Sequence, residues 1–474
     1  MTTLSDIIAA GNSIIWGKLL IYLLLGAGAW FTIRSGFVQF RHLGHVFTVM
    51  RRSFQAEHGG ISSFGAFTTG LAARVGTGNV AGVAIAITVG GPGAVFWMWV
   101  VALVGMSTSF IENTLAQLYK VRSEDGTFRG GPAYYMARGL GQHWMGAAFS
   151  VCLILSFGFI FNAVQANSMT DGLETAFGFD PRWSGIVIVI LAALVIFGGI
   201  RRIAHFAEAV VPLMAVAYLA VALYVVLTRA GELPGVLSLI VRSAFGVGPV
   251  VGGGAGYAVS QALMQGVRRG LFSNEAGLGS SPNAAATAEV KHPAAQGFVQ
   301  MLGVFTDTMV ICTCTAAMIL LSGVLESGGE LTGVPLTQAA LSAEVGAWGD
   351  VFVAVSLLFF AFTSIVANYY FGETSVRFLF RNRSALPVFR IIVLGFVMMG
   401  SVAEVAIVWS AADLSMGFMA LLNLVAIVLL SPVALRVMGD YLAQLGGGHE
   451  PEFDRERLPD VAARMPRRGP DDPW

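Results

Sequence analysis

Two short stretches put hydrogen-bonding groups and glycines where an apolar helix would otherwise run unbroken. The first is Arg74-Val75-Gly76-Thr77-Gly78-Asn79. Its closely spaced glycines weaken helix formation and let a ligand approach the backbone. Unwinding there frees amides and carbonyls, which persist in lipid only where protein, water, an ion or a bound molecule satisfies them. The N-terminal end of a resumed half-helix attracts a carboxylate, at about 0.3–1 kcal/mol, and freed carbonyls suit a hard cation such as sodium. The second stretch, RGLFSNEAGLGSSPN from Arg269 to Asn283, is too polar for a lipid-facing helix and predicts a second break. Transporters built from inverted repeats place binding sites at such paired interruptions.

Charged residues inside apolar runs are the next candidates, since each costs at least ~2.5–3.5 kcal/mol at mid-membrane. Glu112, Glu208, Glu275, Asp307, Glu373 and Glu404 qualify by position, as do Arg74, Arg268 and Arg269, and they are expected to pair with one another. Glu112 and Glu275 are read as gating or structural, a shared proton or an arginine holding the unwound segment. Glu208, Glu373 and Glu404 lie nearer helix ends and read as structural. The seven histidines fall in loops, tails or helix ends without a matching serine, which argues against an intramembrane hydrolase, haem or a histidine-ligated metal. Cys152, Cys312 and Cys314 sit in apolar runs and read as core. Tyr134, Tyr135, Trp97, Trp99, Trp144, Trp183 and Trp348 fall near span boundaries, where amphipathic rings collect.

The elements that position these residues follow from composition. Of 474 residues, 55% are hydrophobic and 12% charged, with 58 glycines and a mean hydropathy of +0.72; a soluble domain carries roughly twice that charge. An all-α polytopic membrane protein is predicted, and the balance of 28 basic to 28 acidic residues gives no reason to expect nucleic acid as a partner. Eleven apolar segments are expected, near 13–34, 61–89, 92–119, 145–172, 183–200, 205–227, 252–288, 295–322, 347–377, 386–409 and 414–437. Residues 234–248 are too short to span and read as a surface or re-entrant helix. The first segment lacks the basic start of a secretory signal and reads as a retained helix.

Positive charges collect on alternate loops: Arg41, Arg51 and Arg52; Lys120, Arg122, Arg129 and Arg138; Arg201 and Arg202; Lys291; Arg377, Arg381, Arg383 and Arg390. These loops are expected inside, giving an external N-terminus and a cytoplasmic C-terminus in the cell inner membrane. The two interruptions lie five segments apart, as a five-plus-five inverted repeat requires. The expected organisation is an extra N-terminal helix and loop (1–60), a first five-helix repeat (61–227), an external connector (228–251), a second repeat (252–438) and a polar, disordered tail (439–474).

At these residues the chain resembles the alanine or glycine:cation symporter family, also called sodium:alanine symporters. GTGNVAGVAIAITVGGPGAVFWMW (76–99) and RGLFSNEAGLGSSPNAAATA (269–288) are similar to its two signatures. Gly130-Gly131-Pro132 with Tyr134-Tyr135, the VQANS run at 164–168 and the FAFT run at 360–363 add to the likeness. The resemblance implies the leucine-transporter fold with discontinuous first and sixth core helices and one extra helix. It implies sodium-coupled uptake of small neutral amino acids, alanine or glycine, without a cofactor. It puts Thr77, Gly78 and Asn79 at the substrate carboxylate, Gln165 opposite, and Ser273, Asn274, Gly277 and Gly279 along the second break. By the same analogy the carbonyls of Ala72 and Val75 and the hydroxyls of Thr363 and Ser364 bind sodium. Many members carry tryptophan where this chain has Asn368, a change that enlarges the pocket and adds a hydrogen-bonding group, compatible with glutamine. Rival readings of a different class are a membrane amino-acid sensor and a channel.

Overall fold

Backbone groups in hydrocarbon must be bonded within their own segment, so long apolar runs fold as helices. The computed structural model describes residues 4–54, 60–123, 126–246, 255–327, 331–380, 384–466 and 473–474. Seven of its helices are long and apolar enough to cross a bilayer: Gly93–Leu118, His143–Phe177, Gly199–Thr228, Pro293–Leu321, Trp348–Leu379, Ala385–Val402 and Val405–Gly446. An eighth span is the pair Ser63–Arg74 and Gly78–Gly90, bent by 49° at the first interruption. The remaining expected segments correspond to Ile21–Arg34, Pro181–Ile196 and Ala255–Asn274, of 14, 16 and 20 residues. The first two are short, and the third carries Gln261, Gln265, Arg268 and Arg269. Ile21–Arg34 continues Leu4–Ile15 through a wide π turn at Trp16–Leu20. Leu233–Ala244 is the short helix expected before the second repeat.

Burial separates the helices into two kinds. Gly93–Leu118 and Trp348–Leu379 are each 67% buried over their most apolar window, against 28% for Gly199–Thr228 and Ala385–Val402. The outer helices turn Leu213, Val216, Leu227 and Ile391 outward, the faces a lipid would cover. The inner ones bury polar side chains, among them Glu112, Asn113, Ser364 and Asn368.

The two interrupted helices meet at one end as well as at the centre. Ile61, just before the first, forms a parallel bridge with Ala288, just after the second, and the Glu289 amide donates to the Ile61 carbonyl at 3.0 Å. The second interrupted helix does not resume as a long half-span: only the turn Pro282–Ala285 follows. Beside this crossing, Lys120 is buried and donates to the Ala288 carbonyl at 2.7 Å. It lies under a hairpin whose strands Val121–Arg122 and Phe128–Arg129 pair antiparallel, Val121 opposite Arg129.

The tail departs from the expected disorder. The Phe453 amide donates to the Lys291 carbonyl, Arg436 pairs with Asp460, and the Trp474 indole donates to the Gln117 carbonyl at 3.1 Å. Its aromatic and apolar residues give it a surface to bury, which its overall polarity conceals. Parts of these expectations lie outside the described residues: positions 247–254, His58 among the seven histidines, Arg381 and Arg383, and the side chain of Arg52.

Candidate functional site

The first break opens where it was expected. Ser62 caps Ser63–Arg74, Val75 turns extended (φ −78°, ψ 91°), and the helix resumes at Gly78 as a π turn. The freed amides meet side-chain oxygens: Gly76 N–H donates to Asn79 Oδ1 at 2.9 Å and Thr77 N–H to Gln165 Oε1 at 3.1 Å. The freed carbonyls meet Ser364, whose Oγ lies 2.8 Å from the Ala72 oxygen, 3.4 Å from that of Val75 and 3.0 Å from that of Phe360. A hydroxyl has one proton, so the three acceptors share a single donor and the cluster is rich in oxygen lone pairs. Thr363 Oγ1 instead donates to the Phe360 carbonyl of its own helix.

The approach at Gly76 is close. A Cβ there would lie 2.5 Å from Ser364 Oγ and 2.8 Å from Gln165 Oε1, so glycine is what lets three helices converge. Gly78 packs on Phe272 and Ser273, bringing the second interrupted helix against the first. Ser273 then joins a cluster that the sequence did not reveal. Asp307, fully buried, accepts from Asn79 Nδ2 at 2.7 Å, from Thr308 at 2.8 Å and from the Ser273 hydroxyl. Cys312 lies 3.0 Å from Ser273 Oγ and 3.3 Å from Asn79 Nδ2. Among the described residues Asp307 has no basic partner within ion-pair distance. Its helix widens into a π turn over Phe305–Cys312, and such bulges re-aim side chains, often at functional sites. Asp307 was marked in the sequence as an intramembrane charge, but nothing there fixes the direction it points.

The second break is built differently. Glu275, Gly277 and Gly279 take φ of 58°, 89° and 80°. Gly277 N–H donates to Glu112 Oε1 at 3.1 Å, while Asn423 Nδ2 donates to Glu112 Oε2 and to the Gly277 carbonyl, both at 2.9 Å. Tyr135 donates to Asn423 Oδ1, and Ser280 to Glu275 at 2.5 Å. Gly277 and Gly279 therefore face Thr108, Leu424, Pro132 and Asn423 rather than Thr77 and Asn79. Asn274 Oδ1 caps the Ala276 amide. Of the four residues carried over to the second break, only Ser273 reaches the first.

Glu112 accepts from the Gly277 amide and from Asn423, and Glu275 from Ser280, in separate sets of hydrogen bonds. The expected arginine does not join them: Arg74 is buried and donates to the Gln300 carbonyl at 3.2 Å. Tyr135, read from sequence as a boundary residue, is buried in this network, whereas Trp144, Trp183 and Trp348 are exposed. Glu373 pairs with Arg377 at 2.8 Å. Asn368 is buried one turn beyond Ser364, and neither its amide nitrogen nor its oxygen has a partner among the described residues; the same holds for Thr77 Oγ1.

The profile of the sodium:alanine symporter family matches residues 1–455. The chain is 49% identical over 456 residues to the probable sodium/glutamine symporter GlnT of Bacillus subtilis, covering 96% of this chain and 94% of that one. It is likewise 49% identical to the amino-acid carrier protein AlsT of the same organism, covering 96% of each. To the sodium/alanine symporter AgcS of Methanococcus maripaludis it is 39% identical, covering 90% and 94%. Among solved structures, a manganese transporter mutant of Eremococcus coleocola aligns with a TM-score of 0.51 at 16% identity, covering 87% and 86% of the chains, a likeness of fold. The polar interruptions buried among apolar spans thus belong to a membrane transporter and not an enzyme: the chain is a member of the sodium:alanine symporter family.

Proposed function

We propose that this chain carries a small neutral amino acid, alanine or glycine, into the cell together with sodium by alternating access. One observation carries the reading: Ser364 sits against the Ala72 and Val75 carbonyls beside the Gly76 and Thr77 amides, with Gln165 and Asn79 on them. Carbonyl and hydroxyl oxygens make the hard-donor shell that an alkali cation prefers. Ala72, Val75 and Ser364 supply it, and Thr363 joins by turning its hydroxyl from its own helix. The substrate carboxylate takes the Gly76 and Thr77 amides and the Thr77 hydroxyl in exchange for the side-chain oxygens of Asn79 and Gln165. Those oxygens then face the ammonium group. Asp307, with Ser273 and Thr308, provides the negative charge that positive cargo needs at this depth.

Convergence at Gly76 leaves little room, which favours a short side chain. The two breaks belong to two five-helix repeats within eleven spans, the N-terminus outside and the C-terminus in the cytoplasm. The inward membrane potential contributes about 2.3 kcal/mol per positive charge per 100 mV. Glutamine is the second reading. Asn368, on the same face as Ser364, has an unpartnered buried amide, and a 49% identical relative is named a probable sodium/glutamine symporter.

The test is uptake of labelled alanine and labelled glutamine into proteoliposomes, with and without an inward sodium gradient. Sodium-driven alanine uptake with counterflow is expected. Sodium-driven glutamine uptake with weak alanine transport moves the substrate to the second reading. No gradient dependence for either overturns the coupling, and flux without counterflow favours a pore.

A further inference from the structure

We propose that Trp99 and Thr313 are positioning residues for Asp307: together they hold the π turn Phe305–Cys312 open and so aim its carboxylate at the first break. The inference rests on the transport reading above, in which Asp307 supplies the charge for positive cargo. The spacing of the contacts gives the turn its role. Asp307 and Cys312 are five residues apart, yet both reach the same two side chains, Asn79 and Ser273. On an α-helix, residues five apart lie about 140° round the axis from one another. A π turn, bonded from i to i+5, brings them onto one face. Were the turn to tighten, Asp307 and Cys312 could not both stay at the break.

A second pair with the same spacing spans the turn. Thr313 Oγ1 donates to the Thr308 carbonyl, five residues back, at 3.4 Å, and accepts the Trp99 indole N–H at 2.8 Å. An indole nitrogen only donates and a hydroxyl has one proton, so the relay runs one way, from Trp99 through Thr313 to the backbone of Thr308. With Trp99 on its acceptor side, the Thr313 hydroxyl points its proton at the turn. Thr308 in turn donates its own hydroxyl to Asp307 Oδ2 at 2.8 Å. Trp99 is itself anchored: half-buried, it packs against an apolar cluster that includes Val83 and Ile87 of the resumed half of the first break, and Cys312 and Ala316.

Thr315, two residues on, supplies the contrast. It donates to the Ile311 carbonyl at 3.3 Å, four residues back, and meets the Tyr218 hydroxyl at 2.7 Å. That is the ordinary back-bond of a helical threonine, and it carries nothing across the wide turn.

Four variants separate the two arrangements. Trp99→Phe keeps the ring and loses the N–H, and Thr313→Val keeps the shape and loses the hydroxyl; Thr313→Ser keeps the hydroxyl, and Tyr218→Phe removes the ordinary bond's partner. Each is first made in a parent carrying Cys152→Ser, Cys314→Ser and Ser273→Cys, which leaves thiols only at positions 273 and 312. Diamide is added without sodium or amino acid. The two thiols give up two protons and two electrons, which reduce diamide to its hydrazine, and the thiols that remain are counted with a maleimide after denaturation. The parent is expected to close the bond. Trp99→Phe and Thr313→Val close it about fivefold more slowly, the scale of one lost hydrogen bond, while Thr313→Ser and Tyr218→Phe match the parent, all with Tm near the parent's. With Ser273 restored, the sodium concentration for half-maximal uptake rises about fivefold in the first two variants and stays put in the others. A parent that does not close the bond, a Tyr218→Phe loss equal to that of Trp99→Phe, or folded Trp99→Phe and Thr313→Val variants with unaltered closure or sodium requirement overturns the assignment. Because closure needs no cargo, a chain that takes up no amino acid yet shows this pattern keeps the positioning residues and loses the transport reading; sodium-driven uptake without the pattern does the reverse.

Discussion

The two broken helices look alike in sequence, both glycine-rich and polar, yet they are satisfied in opposite ways. At the first, the freed amides of Gly76 and Thr77 and the carbonyls of Ala72 and Val75 are met by Asn79, Gln165 and Ser364. Those side chains can turn away and give their places to a ligand. At the second, Glu112, Asn423 and Tyr135 lock both sides of Gly277, and the backbone itself takes positive φ at Glu275, Gly277 and Gly279. Buried polar groups with complete partners rigidify a structure. An interruption is therefore not by itself a binding site; what distinguishes one is that the groups on its backbone are exchangeable.

The sharpest way to break this distinction is to add one methyl group at each place. Gly279→Ala meets Pro132 Cγ at 2.6 Å and Phe149 Cζ at 2.9 Å, at a φ of +80°. Ring atoms do not give way, and a strained left-handed alanine with overpacking costs on the order of 3 kcal/mol, read as a large drop in Tm and yield. Gly76→Ala meets the ends of Ser364 and Gln165, which can move aside. It is expected to fold with a Tm near wild type and to lose about 10–100-fold in sodium-driven uptake per folded molecule, the scale of one methyl in a fitted pocket. Equal loss of stability at both positions removes the contrast.

A milder pair sharpens the ion assignment. Thr363→Ala with Ser364→Ala removes the Ser364 oxygen beside Ala72 and Val75 and the Thr363 hydroxyl proposed to turn towards it, and is expected to raise the sodium concentration for half-maximal uptake about tenfold, each hydroxyl contact being worth ~1 kcal/mol. Glu112→Gln instead sets an amide NH2 against the Gly277 N–H or the Asn423 amide, so it should lower Tm by a cost of ~1–3 kcal/mol and leave the sodium requirement of the folded fraction unchanged. A sodium requirement unaltered in the double variant removes the proposed ion site.

The place of both breaks was legible because glycines and polar side chains inside an otherwise apolar run have few physical explanations. Val75 to Thr77 opens as expected, and Thr77, Asn79, Gln165, Ser273 and Ser364 do come together. What was not legible is direction. The π turns at Trp16–Leu20 and Phe305–Cys312 shift which side chains face inward, and hydropathy does not register them, so Asp307, Thr308 and Cys312 went unassigned at the site. Gly277 and Gly279 were read as pocket lining because composition cannot separate a glycine needed for ligand approach from one needed for positive φ. Tyr135 looked like a boundary residue, since a buried partner on a helix nearly three hundred positions away leaves no local mark. The tail's order was hidden for the same reason.

The smallest effect expected lies at Lys120, beside the bridge between Ile61 and Ala288 that follows the second interrupted helix. Its ammonium nitrogen is 2.7 Å from the Ala288 carbonyl, over Phe128 at 4.2 Å and Trp474 at 4.9 Å. Burial pulls its pKa down from 10.5 to about 7, partly opposed by Glu289. Between pH 7 and about 10.5 the unfolded chain holds this proton and the folded chain releases it. The unfolded state then binds more protons, so folding stability rises with pH across that window by up to about 1.4 kcal/mol per pH unit and flattens below pH 7. Lys120→Met should abolish that slope in detergent melting curves and raise Tm slightly at pH 7. If the second break is scaffold, uptake per folded molecule at pH 7 stays near wild type in this variant; a large fall would mean that the exit of the second helix moves with the cargo, and the contrast between the two breaks would have to be redrawn as one of timing.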